Sequence, residues 1–310
     1  LEARGVNLKA DGRPIMGLSG KEIVQVCLDT DPGMLVVPAH AWTPWFAVFG
    51  SKSGYDSLAE CFEELALHIK AIETGLSSDP TMNHRLSALD TITLISNSDA
   101  HSLDNLGREA NVLAFENEQD ITYSEIRRII TTGDRKKFLY TIEFYPEEGK
   151  YHIDGHAPCH MALSPAEATR AGLRCPTCQK LLTIGVLHRV EDLADRREVD
   201  ARLNKKFIPH RYLVPLREII ACAFGVGVQS KKVRAEYDGL LARLGSEFSI
   251  LLSLSIGNIE RAARDKNIAL GIQNMRSGTV SVTPGYDGIF GKVDVFSGKK
   301  YRGATQATLL

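Results

Sequence analysis

Cys159, Cys175 and Cys178 crowd into a short stretch of the chain with the spacing of a metal grip. His156-x₂-Cys159 is followed, after a fifteen-residue gap, by Cys175-x₂-Cys178. A two-residue turn brings a pair of donors onto one tetrahedral ion, and Pro176 stiffens the second turn. Three thiolates and an imidazole make a closed, structural zinc site, because a catalytic zinc keeps one position open to water. His152, Asp154 and His160 compete with His156 for the fourth position. The other cysteines, Cys27, Cys61 and Cys222, lie in apolar helical surroundings and read as small buried residues. The start, Leu1-Glu-Ala-Arg, has no apolar secretion signal. The expected compartment is therefore the reducing cytoplasm, at the nucleoid, where clustered cysteines hold metal rather than disulfides.

A second donor set lies upstream, in Asp99-Ala100-His101. In an extended chain, residues two apart point the same way, so both side chains can reach one cation. A hard carboxylate with a borderline imidazole suits Zn²⁺, Mn²⁺ or Fe²⁺. His40, in Pro38-Ala39-His40-Ala41-Trp42, offers a third ligand from a neighbouring strand. Three ligands leave room for water, and a bound cation lowers that water's pKa to make a hydroxide nucleophile. Trp42, Trp45 and Phe46 follow His40 closely. They either stack on an extruded nucleotide or pack the rim of the site.

Charge is spread unevenly along the chain. Residues 1–155 carry 14 basic and 24 acidic side chains, 156–240 carry 14 and 9, and 241–310 carry 9 and 5. An acidic front suits metal binding, and a basic rear suits a polyanion such as DNA. Phe224-Gly225-Val226-Gly227-Val228 has the pattern of a helix-hairpin-helix turn. There Gly225 and Gly227 let backbone N–H groups approach a phosphate, and Lys231 and Lys232 add charge. Arg189, Arg196, Arg197, Lys205, Lys206, His210 and Arg211 form a second basic stretch, and Arg189, Arg196, Lys205, Lys206 and Arg211 are its expected DNA contacts. Against that stands the ordinary role of a helical charge run, a solvated face.

Positioning these donors requires strands that alternate with helices. Helices are expected at Lys21–Asp29, at 57–70 with Ser57 as N-cap, at His84–Leu89, and at Tyr123–Thr132 closed by Gly133. Strands are expected at Met34–Pro38, Ala71–Thr74, Thr91–Ile95 and Val112–Phe115. This alternation indicates a mostly parallel α/β unit, whose functional groups sit at strand C-terminal ends. His40, Asp99 and His101 occupy such positions. Phe138–Phe144 and Lys150–Ile153 flank Pro146-Glu147-Glu148-Gly149 as a hairpin, and the chain turns largely helical from Arg189. The expected division is a metal-dependent unit at 1–145, a zinc-binding segment at 146–188, and a helical DNA-binding region with a tail at 189–310. With 44% hydrophobic residues, a chain of 310 residues has ample material for a core. The longest apolar run, Phe248–Ile256, is too short for a bilayer, so no membrane partner is expected.

The stretches VVPAHAWTPWF (36–46), FGSKSGYDSLAECF (49–62), SSDPTMNHR (77–85) and ISNSDAHSLDNLGREAN (95–111) resemble the later part of a PHP phosphoesterase domain. With YHIDGHAPCH, CPTCQKLLTIGVLHRVEDLADR and PGYDGIFGKV, they make the whole chain similar to endonuclease Q. The resemblance implies the C-terminal part of a distorted PHP-type β/α barrel, then a zinc-knuckle insert and a mostly helical region. It implies a multinuclear centre of Zn, Mn or Mg with His40, Asp99 and His101 among its ligands, beside a structural zinc. The implied reaction is hydrolysis of the DNA phosphodiester 5′ to uracil, hypoxanthine, xanthine or an abasic site, which makes damaged DNA the partner. The family's opening H-x-H strand does not precede His40. The expectation is that roughly the first third of the catalytic domain lies outside this sequence, and that the chain alone does not cut.

Two rival readings share parts of this pattern. A PHP phosphatase acting on a small phosphate ester needs neither a zinc knuckle nor a basic helical appendage. A non-catalytic zinc-containing DNA-binding protein needs no functional upstream ligands. The extreme C-terminus, Gln306-Ala307-Thr308-Leu309-Leu310, resembles the Gln-x-x-Leu-Leu peptides that dock on sliding clamps, which adds the clamp as an expected partner.

Overall fold

The computed structural model describes residues 6, 7, 9 and 16–297. Its front half runs through α1 (Gly20–Thr30), α2 (Leu58–Phe62), β1 (Ala71–Glu73), α3 (Pro80–Asn83), β2 (Thr93–Ile95), β3 (Ala110–Leu113), α4 (Tyr123–Thr132) and β4 (Phe138–Glu143). The zinc-type segment holds β5 (Asp154–His156), β6 (Met161–Leu163) and α5 (Pro165–Arg170). The rear holds α6 (Val186–Leu193), α7 (Glu198–Leu203), β7 (His210–Tyr212), α8 (Leu216–Phe224), α9 (Lys231–Leu244), α10 (Ile256–Ala262), α11 (Lys266–Arg276), β8 (Ser281–Thr283) and β9 (Lys292–Asp294). Two compact units form. The first gathers the described residues up to Asn97 with 111–141 and 184–209, and the second gathers 98–110, 142–183 and the described residues from 210 on. A linear division at 145 and 188 does not show this interleaving, in which 184–209 returns to the first unit. The expected clamp peptide Gln306–Leu310 lies outside the described residues. Among the described residues no helix is long and apolar enough to cross a membrane.

In the first unit β1 and β2 pair in parallel, with Glu73 opposite Ile95. α4 runs from an N-cap at Thr122, whose side chain accepts the Glu125 N–H, to a left-handed Gly133, as the sequence indicates. The α-helix expected at His84–Leu89 does not form there: a helix runs over Pro80–Asn83, where the Asp79 carboxylate caps the Met82 N–H and proline fits the first helical position, and Ser87–Leu89 is a 3₁₀ turn. The helix after Ser57 ends at Phe62, where Glu63 turns left-handed and a 3₁₀ stretch continues to His68. Met34–Pro38 forms no ladder and is only half-buried. Its backbone bonds β1 at its end, where Pro38 O accepts the Glu73 N–H at 3.0 Å, and Val36 and Val37 pack against the clusters that hold Ile72 and Ala71. Trp42, Phe49, Phe62, Ile69, Ile72, Leu89 and Leu94 fill the core, and α6 adds Val186 and Val190.

In the second unit β5 and β6 form an antiparallel hairpin. α8 and α9 flank a short turn, α10 and α11 follow, and Ile219, Ile220, Val233, Leu240, Ile259, Ile268 and Ile272 are buried among them. The hairpin expected around Pro146–Gly149 does not form. Pro146–Glu148 is a 3₁₀ turn, Lys150–Ile153 makes no strand, and Ile153 bridges to Tyr286. The Pro284–Gly291 loop takes the place of a partner strand. Gly285 donates to Glu147 O at 2.8 Å and Gly291 to Glu148 O at 3.0 Å. A Cβ on Gly291 would sit 2.1 Å from Glu147 O, so glycine alone permits this approach.

Candidate metal centres

Four donors converge in the second unit. His156 Nδ1 or Nε2 and the Sγ atoms of Cys159, Cys175 and Cys178 all lie within 4.8 Å of one another. His156 closes β5, and Cys159 follows in a 3₁₀ turn that ends at a left-handed His160. The second grip is a tight turn in which Cys175 O accepts the Gln179 N–H and Cys175 N–H donates to Lys180 O, both at 2.8 Å. Ala168, Cys175 and Leu182 form a small core beneath it, with Met161 and Leu163 against them. Of the four contenders for the fourth ligand, the fold selects His156, whose Nδ1 stands 3.6 Å from Cys178 Sγ.

The donors' ionisation fits a cation. Burial pushes the Cys175 thiol up, but N–H groups of Cys178 and Thr177 and the neighbouring thiols outweigh it and hold its pKa below the ordinary value. Cys159, hydrogen-bonded to Cys178 and desolvated, is pushed up to about 11. Three clustered thiols resist shared ionisation, and a divalent cation removes that conflict by deprotonating its ligands outright. A Cys₃His set with this geometry fits zinc. Asp287, far along the chain, steadies the segment. One carboxylate oxygen accepts the Ala157 N–H at 2.6 Å, next to His156, and the other accepts the Thr183 hydroxyl at 2.5 Å.

The strand-end site of the first unit is built around Glu73, a buried carboxylate that ends β1. It accepts the His40 N–H at 2.7 Å and the Asn97 side-chain amide at 2.9 Å. Asn111 carries the network on, donating to Asn97 Oδ1 at 3.1 Å and to Ser96 O at 2.8 Å. His40 has left-handed backbone (φ 32°), and a Cβ on Gly75 would lie 2.8 Å from His40 Cβ. His40 is thus fixed by its backbone, as a residue held for its side chain would be.

Asp99 and His101 open the second unit's first segment. They lie beyond β2 rather than on an extended strand, with Asp99 left-handed (φ 43°). A turn, not an i,i+2 strand face, brings them together. His101 Nδ1 is 2.9 Å from the Asp99 carbonyl oxygen and 3.9 Å from its carboxylate, and both side chains are exposed. Arg108 donates to Ser98 O at 2.9 Å and pins the loop. Residues 103–108 then line a cavity of about 320 Å³ with Arg217, Glu218, Tyr237 and Phe248.

The residues expected at a DNA interface divide into two groups. Arg189 binds the Phe49 and Tyr55 carbonyls and the Asp56 carboxylate, and Arg196 grips Asp90 with two bonds of 2.8 and 2.9 Å and donates to His84 O. Their side chains are only 17% and 20% exposed, so both guanidinium groups are engaged within the first unit. Lys205 and Lys206 are exposed after α7, and Arg211 is exposed on β7. Gly225 is the left-handed C-cap of α8, and Gly227 lies in the exposed turn to Ser230, which caps α9. Lys231 and Lys232 open α9, with Lys232 Nζ 4.1 Å from the Phe224 ring centre. Trp42 is a core residue bonded to Asn83, whereas Phe46 is 84% exposed.

Sequence reasoning missed Glu73, Asn97, Asn111 and Asp287. The signal for Glu73 was a carboxylate ending an apolar strand just before Thr74-Gly75. Asp287 carried no local signal.

Fold and donors together define an α/β protein with a Cys₃His metal-type site and a helical rear. Residues 215–279, α8 to α11, match the family model described as the MJ0043 C-terminal domain. The chain is 29% identical over 259 residues to protein MJ0043 of Methanocaldococcus jannaschii, covering 82% of this chain but 31% of that protein. It is 31% identical to YqxK of Bacillus subtilis, covering 94% of this chain and 68% of that one. Among solved structures it is similar to the lesion-specific endonuclease PfuEndoQ from Pyrococcus furiosus, with a TM-score of 0.80, 32% identity, and coverage of 92% of this chain and 68% of that one. It is also similar to an endonuclease Q complexed with a duplex carrying an abasic lesion, with a TM-score of 0.77, 32% identity, and coverage of 93% and 69%. The chain belongs to the endonuclease Q family.

Proposed function

We propose that this chain serves a metal-dependent DNA repair endonuclease that hydrolyses the phosphodiester 5′ to a deaminated base or an abasic site. The observation that carries the reading is the 32% identity to PfuEndoQ across 92% of the chain, at a TM-score of 0.80. His40, Asp99 and His101 would hold the catalytic cation, Zn, Mn or Mg, as members of the PHP-type centre. When bound, such a cation lowers the pKa of a water and neutralises charge on the phosphoryl group.

The chain's own groups then have distinct tasks. Glu73 fixes the His40 backbone, Asn97 fixes Glu73, and Asn111 fixes Asn97. Gly225 turns the chain out of α8, its own N–H donated to Ala221 O, so that Gly227 and the start of α9, with Lys231 and Lys232, offer N–H groups and charge to a phosphate. Lys205 and Lys206 in the first unit and Arg211 in the second add exposed cations, while Arg189 and Arg196 are held inside the first unit by Asp56 and Asp90. Phe46 is exposed beside the His40 loop and available to stack on an extruded base.

The test uses the full-length protein that contains this chain. Asp99→Asn and His101→Ala are expected to abolish incision of abasic and uracil-containing duplexes while leaving duplex affinity nearly unchanged. Undiminished cutting by both variants, or affinity lost in step with cutting, would count against the assignment.

A further inference from the structure

The Tyr286–Gly291 turn is held from three sides and still presents an unpacked aromatic ring. Its backbone is tied to the 147–151 segment by Gly288 N–H to Lys150 O at 2.9 Å and Gly291 N–H to Glu148 O at 3.0 Å. Tyr286 presses on Gly155, where a Cβ would meet the Tyr286 ring at 2.3 Å. Asp287 fastens the turn to the zinc-type segment through Ala157 and Thr183. On this fixed tip Phe290 is 72% exposed, with Ile289 also exposed beside it. Two exposed lysines flank it. Lys150 Nζ lies 5.8 Å from the Phe290 ring centre, and Lys292 is exposed two residues on. Of the nearby carboxylates, Asp287 is consumed by its two bonds, Glu147 and Glu148 are half-buried, and half-buried Asp294 accepts the Phe296 N–H.

We propose that Phe290 is a nucleobase-stacking side chain, with Lys150 and Lys292 as partners for the flanking phosphates. The inference rests on the DNA reading above and adds a contact surface to it. Every base has a π-face, so an exposed ring gains stacking without reading sequence, and cations beside it follow the backbone. An intact duplex hides its base faces, whereas a site that lacks a base leaves neighbours unstacked. A ring on a turn that is already ordered loses little freedom on binding. The tip therefore favours DNA with a local gap in its stack.

The experiment compares the parent protein with Phe290→Ala, Phe290→Trp and Lys150→Gln/Lys292→Gln by fluorescence anisotropy, on a duplex carrying one abasic site and on its intact counterpart. Phe290→Ala is expected to weaken the abasic duplex about tenfold, the scale of one stacked base, and to leave the intact duplex and the salt slope unchanged. Phe290→Trp retains affinity, and its added indole emission is quenched on binding. The lysine pair lowers the log–log salt slope by about two. Zinc content stays that of the parent in each variant. Equal abasic-duplex affinity for parent and Phe290→Ala, with no change in Phe290→Trp emission, would overturn the proposal while leaving DNA binding intact. A parent that binds neither duplex at low salt would remove the DNA reading, and the proposal with it.

Discussion

At the scale of residues, the carboxylates of the second unit show how burial sets chemistry. Glu148 is pushed up to about 8, first by burial and then by the charges of Glu218 and Glu147, while Glu218 is itself raised by burial. Unfolded, the Glu148 carboxyl releases its proton near its ordinary 4.5, but folded it holds it until about 8. Between those values the folded state binds more protons than the unfolded one, so stability falls as pH rises through that window. Glu148→Gln cannot ionise and removes this dependence. Thermal unfolding should show the variant gaining on the parent by a few degrees on going from about pH 5 to pH 8, as the raised Glu148 pKa requires. A constant gap between the two proteins across that range would refute the assignment.

At the scale of elements, the zinc-type segment is too small to fold by its own core. Its apolar centre is Ala168, Cys175 and Leu182. Folding and metal binding are therefore expected to be one event there. Purified protein is expected to carry one zinc per chain at this site by elemental analysis, and Cys175→Ala to lose both the metal and the segment's protection from hydrogen exchange. Asp287→Asn keeps the size of the side chain but removes its charge. Because it supports the loop that begins one residue after His156, it should weaken zinc about 10–100-fold in a chelator competition. Wild-type affinity in Asp287→Asn would reduce that carboxylate to a surface link.

At the scale of the molecule, basic residues do two different jobs that their sequence does not separate. Arg196 is clamped by Asp90 and the His84 carbonyl, whereas Lys231 and Lys232 stand at the exposed start of α9. Arg196→Ala should cost about 1–2 kcal/mol in urea unfolding, discounted for the partial exposure of Asp90, and leave the salt slope of DNA binding unchanged. Lys231→Gln/Lys232→Gln should do the reverse, with stability near the parent's and a slope shallower by up to about two. A slope that follows Arg196 and ignores the lysines would exchange the two roles.

The sequence by itself determined what depends on near neighbours. The Cys-x₂-Cys grip, the His156–Cys159 spacing and the Thr122 and Gly133 ends of α4 all rest on contacts within a few positions, so local turn and capping chemistry specified them. The choice among His152, Asp154, His156 and His160 needed the β5–β6 hairpin, because spacing alone does not say which side chain a register turns toward the thiols. Tertiary structure alone decided the rest. His40 meets Glu73 across 33 positions, Ala157 meets Asp287 across 130, and Arg189 meets Asp56 across 133. An arginine looks the same in sequence whether its fork will close on a carboxylate or on a phosphate. Only the folded chain shows which anion lies within reach.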